Sequence, residues 1–531
     1  MSVATTAPVN VARHLEDMAR RSPDKDAIVL SRRTRAGLVY ETLSFRALET
    51  EASRIAHGLV RVGITRGTRT VLLVPPSREF FALVFALFKV GAVTVLIDPG
   101  VGKKNLLRCL EGVEPEAFIA VSKAQAARVL LRAIPSVRIS VTVGRRWFWG
   151  GPKLSQLRDD RGPFPTVDSR PDETAAILFT TGSTGVPKGA VYTHGVFDAQ
   201  VQALKAIYGF AADEIDLPTF PLFALFDPAL GMTAVIPDMD FTRPAHVARA
   251  NIIDAINERG VTSMFGSPAL LDRVAGPEKL STLRRVISAG APARPAVLER
   301  FQAMLPAGAE ISTPYGATEA LPVATIGSRE ILSETRAGTE KGQGTCVGRP
   351  AADITVKIIK ISDAPIAAWS QELLAAPGEV GEICVQGPVV TRSYFARPDQ
   401  TTLAKIPDGE RFWHRMGDLG RFDEQGRLWF FGRKSHRVND LYTEACEAIF
   451  NTHPSVRRSA LVGVAGRPVI VIERSGPVSV EELRALARSS PVTERIETFL
   501  SYPGSFPVDV RHNAKIFREQ LAPWAASQLP G

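Results

Sequence analysis

Helix-like and strand-like segments alternate along most of this chain, and that alternation narrows the possible folds more than any single residue does. Residues 45–63 place Phe45, Leu48, Ala52, Ile55 and Leu59 at helical spacing. The run Thr68-Arg-Thr-Val-Leu-Leu-Val74 then reads as a buried strand, closed by Pro75-Pro76. Similar units recur through residues 170–330, with strands expected at Ala175–Phe179, Ser263–Gly266 and Arg285–Ser288. A helix that must bury one face and a strand that must bury both are satisfied together by layers, so the fold class is α/β.

From about residue 345 the texture changes to short β-branched and aromatic runs at Asp353–Lys360, Gly381–Gln386 and Gly417–Phe431. These predict a β-rich subdomain over 345–433 inside an N-terminal domain of residues 1–433. The remaining residues, 434–531, open on the polar run Lys434-Ser-His-Arg-Val-Asn-Asp440. A helix at Glu444–Asn451 and a strand at Ser459–Gly463 follow, so a small, mobile α+β lid domain is expected beyond a hinge at Arg433–His436.

Composition sets outer limits. The chain has 531 residues with 45% hydrophobic and 22% charged side chains, which excludes disordered, collagenous and coiled-coil classes. Cys109, Cys346, Cys384 and Cys446 are too scattered for a disulfide framework or a CxxC metal site and read as small buried hydrophobes. Met1 to Val11 shows no basic run leading into an apolar core, so a cytoplasmic chain is expected. The most apolar stretch, Phe80 to Ile97, is interrupted at Lys89 and Gly91 and reads as a helix followed by a strand, with no integral membrane segment. A net charge of +9 suits anionic ligands without choosing among them, and nucleic acid is not the expected partner. The densest basic-aromatic piece, Gly144-Arg-Arg-Trp-Phe-Trp-Gly150, reads as a solvated or packed loop, with a membrane-contact or nucleic-acid patch as the alternative.

The chemistry begins at Phe179-Thr-Thr-Gly-Ser-Thr-Gly-Val-Pro-Lys-Gly189. A strand runs into three glycines, four hydroxyl residues and a lysine. Glycines let successive N–H groups face one anion, hydroxyls add donors, and Lys188 adds a point charge. The GxxxxGK[ST] spacing of a Walker A loop is absent.

This loop resembles the signature of the adenylate-forming superfamily, which includes acyl-CoA synthetases, adenylation domains and luciferases. Further segments continue the resemblance in order. Ser288-Ala-Gly-Ala-Pro292 is similar to the segment lying against adenine, which implies roles for Gly290, Ala291 and Pro292. Pro314-Tyr-Gly-Ala-Thr-Glu319 is similar to the family's Tyr-Gly-x-Thr-Glu motif. The resemblance implies that Tyr315, within Pro314, Gly316 and Ala317, stacks on adenine, that Thr318 contacts the α-phosphate, and that Glu319 holds Mg²⁺. Gly417-Asp418 resembles the ribose-binding pair, Gly432-Arg433 the arginine that reaches ribose and phosphate, and Asn513-Ala-Lys515-Ile516 the catalytic-lysine motif. The implied nucleotide contacts also include Thr180, Thr181, Gly182, Ser183, Thr184, Gly185, Val186 and Pro187. Lys188, Thr318, Glu319 and Lys515 are the implied catalytic set, with ATP and Mg²⁺ as cofactors.

Two departures bear on the acyl acceptor. His436 stands where most relatives carry an acid, and the glycine loop that follows is short, which counts against a CoA-dependent second step. The segment Leu217-Pro-Thr-Phe-Pro-Leu-Phe-Ala-Leu-Phe-Asp-Pro-Ala-Leu-Gly231 combines three phenylalanines with a single acid and suits either ordinary core or an alkyl pocket. With Pro237–Pro244 and Arg511–Ile516 it resembles the olefin β-lactone synthetases. That resemblance implies adenylation of a long-chain 2-alkyl-3-hydroxy acid and closure to a β-lactone. It also implies possible assembly with a reductase and a β-lactone decarboxylase. A fatty-acyl-CoA or fatty-acyl-AMP ligase is the alternative. Asp227, His194 and His436 are the candidate bases, with a packing role favoured for His194 and a helix-cap role open for Asp227.

Overall fold

The structure, a computed structural model, describes residues 9–97, 102–180, 187–508 and 515–529. Local sequence sets the first layer. Ser44 accepts the Ala47 N–H at 3.2 Å and starts the helix Phe45–Arg61, whose Phe45, Leu48, Ala52, Ile55 and Leu59 are all fully buried. Ser77 caps the helix Arg78–Lys89 in the same way, and the strand Val93–Leu96 follows, as the interruption at Lys89 and Gly91 predicts. Lys89 is itself fully buried, and its ammonium reaches Glu49 at 2.7 Å and Thr166 at 3.1 Å. A buried charge must be paired, and that requirement explains a lysine inside an apolar helix. Among the described residues, no helix is long and apolar enough to cross a membrane.

Two large sheets organise the α/β fold. The first has six strands in the order Ile139–Val143, Ala117–Val121, Arg69–Leu73, Val93–Leu96, Thr174–Thr180 and Lys188–Thr193. All neighbours in it run parallel except the last pair, in which Thr180 lies opposite Lys188. The second sheet has 14 strands. Its parallel centre includes Ile215–Pro218, Ser263–Gly266, Arg285–Ser288 and Glu310–Ala317.

The β-rich stretch does not stand apart as a sheet of its own. Thr345–Pro350 joins Ala320–Gly327 through Ala324↔Pro350 and Thr325↔Arg349, so the later strands extend the large sheet. The last residues form a separate three-stranded sheet, Val456–Val464, Arg467–Arg474 and Thr498–Ser501. The helices Thr443–Phe450 and Arg518–Gln528 pack on Val456–Val464 around Phe450, Leu461, Ile470, Leu521 and Ala525. All four cysteines are buried and unbridged, as small hydrophobes would be.

Candidate active site

Open parallel sheets take ligands outside the carboxyl ends of their strands, and here two adjacent strands end in segments singled out by the sequence. Arg285–Ser288 runs out into Ala289–Pro292, with Gly290 at φ +98°. Next to it, Glu310–Ala317 turns back onto Ala320–Gly327 through the pair Ala317↔Ala320. Thr318 and Glu319 are therefore the two-residue tip of a hairpin. A Cβ at Gly316 would lie 2.6 Å from the Ala320 carbonyl oxygen, so glycine is required where the hairpin closes.

The tip is held from two sides. The Tyr192 hydroxyl donates to the Thr318 carbonyl, and the Tyr394 hydroxyl donates to Glu319 Oε1 at 2.6 Å. Thr391 N–H donates to the Glu319 carbonyl at 2.9 Å. Lys188 Nζ lies 5.3 Å from the Tyr394 ring centroid. Burial pulls the Lys188 ammonium down in pKa, while the Glu319 carboxylate pushes it back up. Burial also raises the Tyr394 phenol, and Glu319 adds to that shift.

Asp418 and Arg433 are direct partners across their antiparallel strands, and the guanidinium Nη1 sits 3.0 Å from Asp418 Oδ1. Tyr315 donates to Asp418 Oδ2 at 2.7 Å. Burial raises the Asp418 carboxyl, with Arg433 and the Tyr315 hydrogen bond opposing it. The Arg433 charge also bears on Lys188 and on Tyr394, so Lys188, Glu319, Tyr315, Asp418 and Arg433 form one cluster. The charges of Lys515 and Arg433 both bear on His436. Burial first, and then the charges of Arg518, Arg433 and Lys515, together drive that imidazole down to about 3.

Pro187 is buried next to Lys188, and Pro314 lies opposite Thr325 in the hairpin. Ala291 and Pro292 follow Gly290 on the open side of the Arg285–Ser288 strand end. Thr181, Gly182, Ser183, Thr184, Gly185 and Val186, the body of the glycine-rich loop, lie outside the described residues, as do Asn513 and Ala514. Thr180 is placed only by its backbone pairing with Lys188.

Three contributors carry no sequence signal strong enough to find them. Tyr192 looks like any strand aromatic. Tyr394 stands 75 residues from the glutamate it holds. Lys405 is buried, donates to the Thr391 carbonyl, and sits 5.2 Å from the Phe412 ring centroid. Burial brings its ammonium down to about 7, with Glu319 opposing.

The three candidate bases separate on geometry. His194 Nδ1 accepts the Val11 N–H at 3.3 Å, its ring packs edge-on against Phe88 at 6.2 Å, and burial lowers it to about 4. It is a packing residue. Asp227 does not cap its short helix Asp227–Leu230; its residue is 4% exposed and its Oδ2 has no hydrogen-bond partner. Burial pushes the Asp227 carboxyl up, and the nearby Asp216 charge adds to the shift.

Aromatic contacts run from Phe226, beside Asp227 in the chain, to the hairpin tip. Phe226 lies 6.2 Å from Phe197, and Phe197 lies 4.8 Å from Tyr192, whose hydroxyl reaches Thr318. Phe223 stacks on Phe265 at 3.9 Å, and Phe220, Phe223, Ile287 and Ala289 share one apolar cluster.

Glu319 offers one carboxylate oxygen beyond the one that Tyr394 occupies. Among the described residues, no three His, Cys, Asp or Glu side chains gather into a metal cage. A single protein carboxylate fits Mg²⁺, which keeps waters and substrate phosphates as most of its ligands.

Residues 15–395 match the AMP-binding enzyme family. The chain belongs to that family and is an AMP-forming ligase. Over 547 aligned residues it is 50% identical to the olefin beta-lactone synthetase of Stenotrophomonas maltophilia (strain K279a), covering 98% of this chain and 99% of that protein. Among solved structures, the amide bond synthetase from Marinactinospora thermotolerans superimposes with a TM-score of 0.79 at 24% identity, covering 97% of this chain and 99% of the other. The O-succinylbenzoate coenzyme A synthetase from Bacillus subtilis, in complex with ATP and magnesium ion, gives 0.75 at 22% identity, covering 97% and 100%. At these identities the two structures establish a shared fold.

Proposed function

We propose that this enzyme uses ATP to adenylate a long-chain 2-alkyl-3-hydroxy acid and then closes the adenylate to a β-lactone. The observation that carries the reading is the 50% identity, over nearly the whole of both chains, to relatives named olefin beta-lactone synthetase.

In the first step the substrate carboxylate oxygen attacks the α-phosphorus, the bond from that phosphorus to the β-phosphate bridging oxygen breaks, and pyrophosphate leaves. Two anions must meet, so positive charge has to be in place beforehand. Lys188 meets the phosphates, and Lys515 bridges the carboxylate and the α-phosphate. Thr318, at the hairpin tip, donates to the α-phosphate. Asp418 accepts from both ribose hydroxyls, with Arg433 beside it, and Tyr315 stacks on adenine. Glu319 would hold Mg²⁺, which supplies charge neutralisation on the phosphates when bound. The described glycine-loop neighbours Thr180 and Pro187, together with Gly290, Ala291, Pro292, Pro314, Gly316 and Ala317, line the nucleotide. Residues 434–531 act as a lid that carries Lys515 to the site.

In the second step the 3-hydroxyl oxygen attacks the acyl carbon, the acyl carbon–phosphate oxygen bond breaks, and AMP leaves. The hydroxyl proton passes to Asp227. A base needs a pKa near the working pH. His194 and His436, at about 4 and about 3, are too weak. Asp227 is raised, and its Oδ2 is a buried acceptor awaiting a donor. The nucleophile is already inside the substrate, so no CoA is required.

The test is incubation with ATP, Mg²⁺ and a 2-alkyl-3-hydroxy acid in the absence of CoA. A product with the mass of the acid less one water and a strained-lactone carbonyl band supports the proposal. A product that forms only when CoA is added rejects it in favour of a fatty-acyl-CoA ligase.

A further inference from the structure

The 42 residues from 117 to 158 contain eight lysines or arginines and no acid, against a net charge of +9 for the whole chain. They form one end of the six-stranded sheet: the strand Ala117–Val121, the helix Ser122–Leu130, the edge strand Ile139–Val143 and the loop that leaves it. Five of the basic residues, Lys123, Arg132, Arg138, Arg145 and Arg146, are exposed, and none stands in an ion pair among the described residues. The flanking acids are already engaged: Glu116 with Arg69, Asp159 with Arg61, and Asp160 with Arg54.

The same edge carries the most exposed large apolar side chains among the described residues. Leu130 is 71% exposed, Leu131 64%, Phe148 62% and Trp147 52%. The two leucines close the helix at one end of the edge strand, and the two aromatics open the loop at the other. The loop is held in place rather than left loose. Trp149 is buried and donates to Thr142 Oγ1 at 2.8 Å, and the rings of Trp147 and Phe148 lean on it at 5.5 and 5.1 Å. Ser122 fastens the loop to the start of the helix by donating to the Arg145 carbonyl.

We infer that this sheet edge docks on the surface of an anionic lipid bilayer. Indole and phenyl rings on a fixed loop favour the headgroup boundary, leucines enter the outer acyl region, and arginines and lysines that make no ion pair among the described residues face the phosphates. Single-stranded nucleic acid would also attract arginines and aromatic rings, but the two protruding leucines have no counterpart in base stacking. Two exposed apolar pairs on one sheet edge, interspersed with charges of one sign, mark an interaction surface rather than ordinary solvated surface.

The test is flotation of the full chain with vesicles of about one-third phosphatidylglycerol in phosphatidylcholine, compared with phosphatidylcholine alone. Strong binding to the anionic vesicles, weakened by salt, is expected. Replacing Arg145→Gln and Arg146→Gln together should lower the partition coefficient roughly thirtyfold. Replacing Trp147→Ser and Phe148→Ser together should lower it at every salt concentration. Both variants should keep ATP–pyrophosphate exchange on a short soluble acid, which shows that they are folded. Quenching of tryptophan fluorescence by brominated lipid should disappear in Trp147→Phe. Equal binding to the two vesicle types, unchanged binding by both double variants, or preference for single-stranded RNA over anionic vesicles would overturn the inference.

Discussion

Tyr315 donates a hydrogen bond to Asp418 across 2.7 Å and so joins two motifs that lie 103 residues apart in the chain. The contact satisfies one oxygen of a buried carboxylate whose other oxygen has no hydrogen bond and faces Arg433 at 3.0 Å. Tyr315→Phe removes the donor and leaves Asp418 Oδ2 without its hydrogen bond, a loss of about 1–3 kcal/mol. The expected result is a lower urea midpoint in the apo protein. Saturating ATP should shrink the difference, because ribose hydroxyls would supply new donors to the same carboxylate. A midpoint equal to that of the parent without nucleotide would contradict this account.

Glu319 and Tyr394 should behave as a unit of unequal members. Glu319→Gln removes the proposed metal ligand and should cut ATP–pyrophosphate exchange about a hundredfold or more. Tyr394→Phe keeps the carboxylate but frees its orientation, so a smaller loss with a raised Mg²⁺ requirement is expected. Chelation of divalent ions should stop exchange in the parent enzyme. Exchange that persists after chelation would remove Glu319 from its metal role.

His194 gives a pH signature of packing. Its folded pKa, about 4, lies below the ordinary histidine value, so the folded state favours the neutral ring. The stability it contributes is therefore complete above about pH 6.5 and is lost as pH falls toward 4. His194→Gln should flatten that part of the acid unfolding curve. Product formation above pH 7 should survive in whatever fraction remains folded. If the variant stays folded and adenylates normally but makes no lactone, His194 is a base after all.

Much of the fold was legible because its signals are local. The helix over 45–61 shows its buried face in the spacing of five apolar residues, and Lys89 marks the point where helix gives way to strand. The strands Ser263–Gly266, Arg285–Ser288 and Gly381–Gln386 fall on their expected residues. The union of the later strands with the large sheet was not legible. It rests on the pairing Ala324↔Pro350 and Thr325↔Arg349, and strand partners leave no trace in either strand's own pattern. The site divides in the same way. Glu319, Asp418 and Arg433 announce themselves in ordered motifs, whereas Tyr394 and Lys405 act through distances that only the folded chain creates. Asp227 lay between these cases: an acid in a phenylalanine-rich run was visible, but its orphaned oxygen was not.

The division of labour between the two half-reactions turns on Asp227. The residues proposed to bind nucleotide, Asp418, Arg433, Glu319 and Lys188, form a cluster that does not include Asp227. Asp227→Asn preserves the shape of the side chain and removes its ability to accept a proton. ATP–pyrophosphate exchange should therefore change by less than about threefold, while lactone release falls on the order of 10²–10⁴-fold. The adenylate should accumulate and be detectable by mass after acid quench. Burial and Asp216 both raise the Asp227 carboxyl, so the lactone step of the parent should slow as pH falls through that raised value and the base becomes protonated. The variant should lack this acid limb while keeping the limb for adenylation. Equal losses in both half-reactions would mean that Asp227 only supports the pocket wall. An acid limb that persists in Asp227→Asn would place the proton acceptor on another residue.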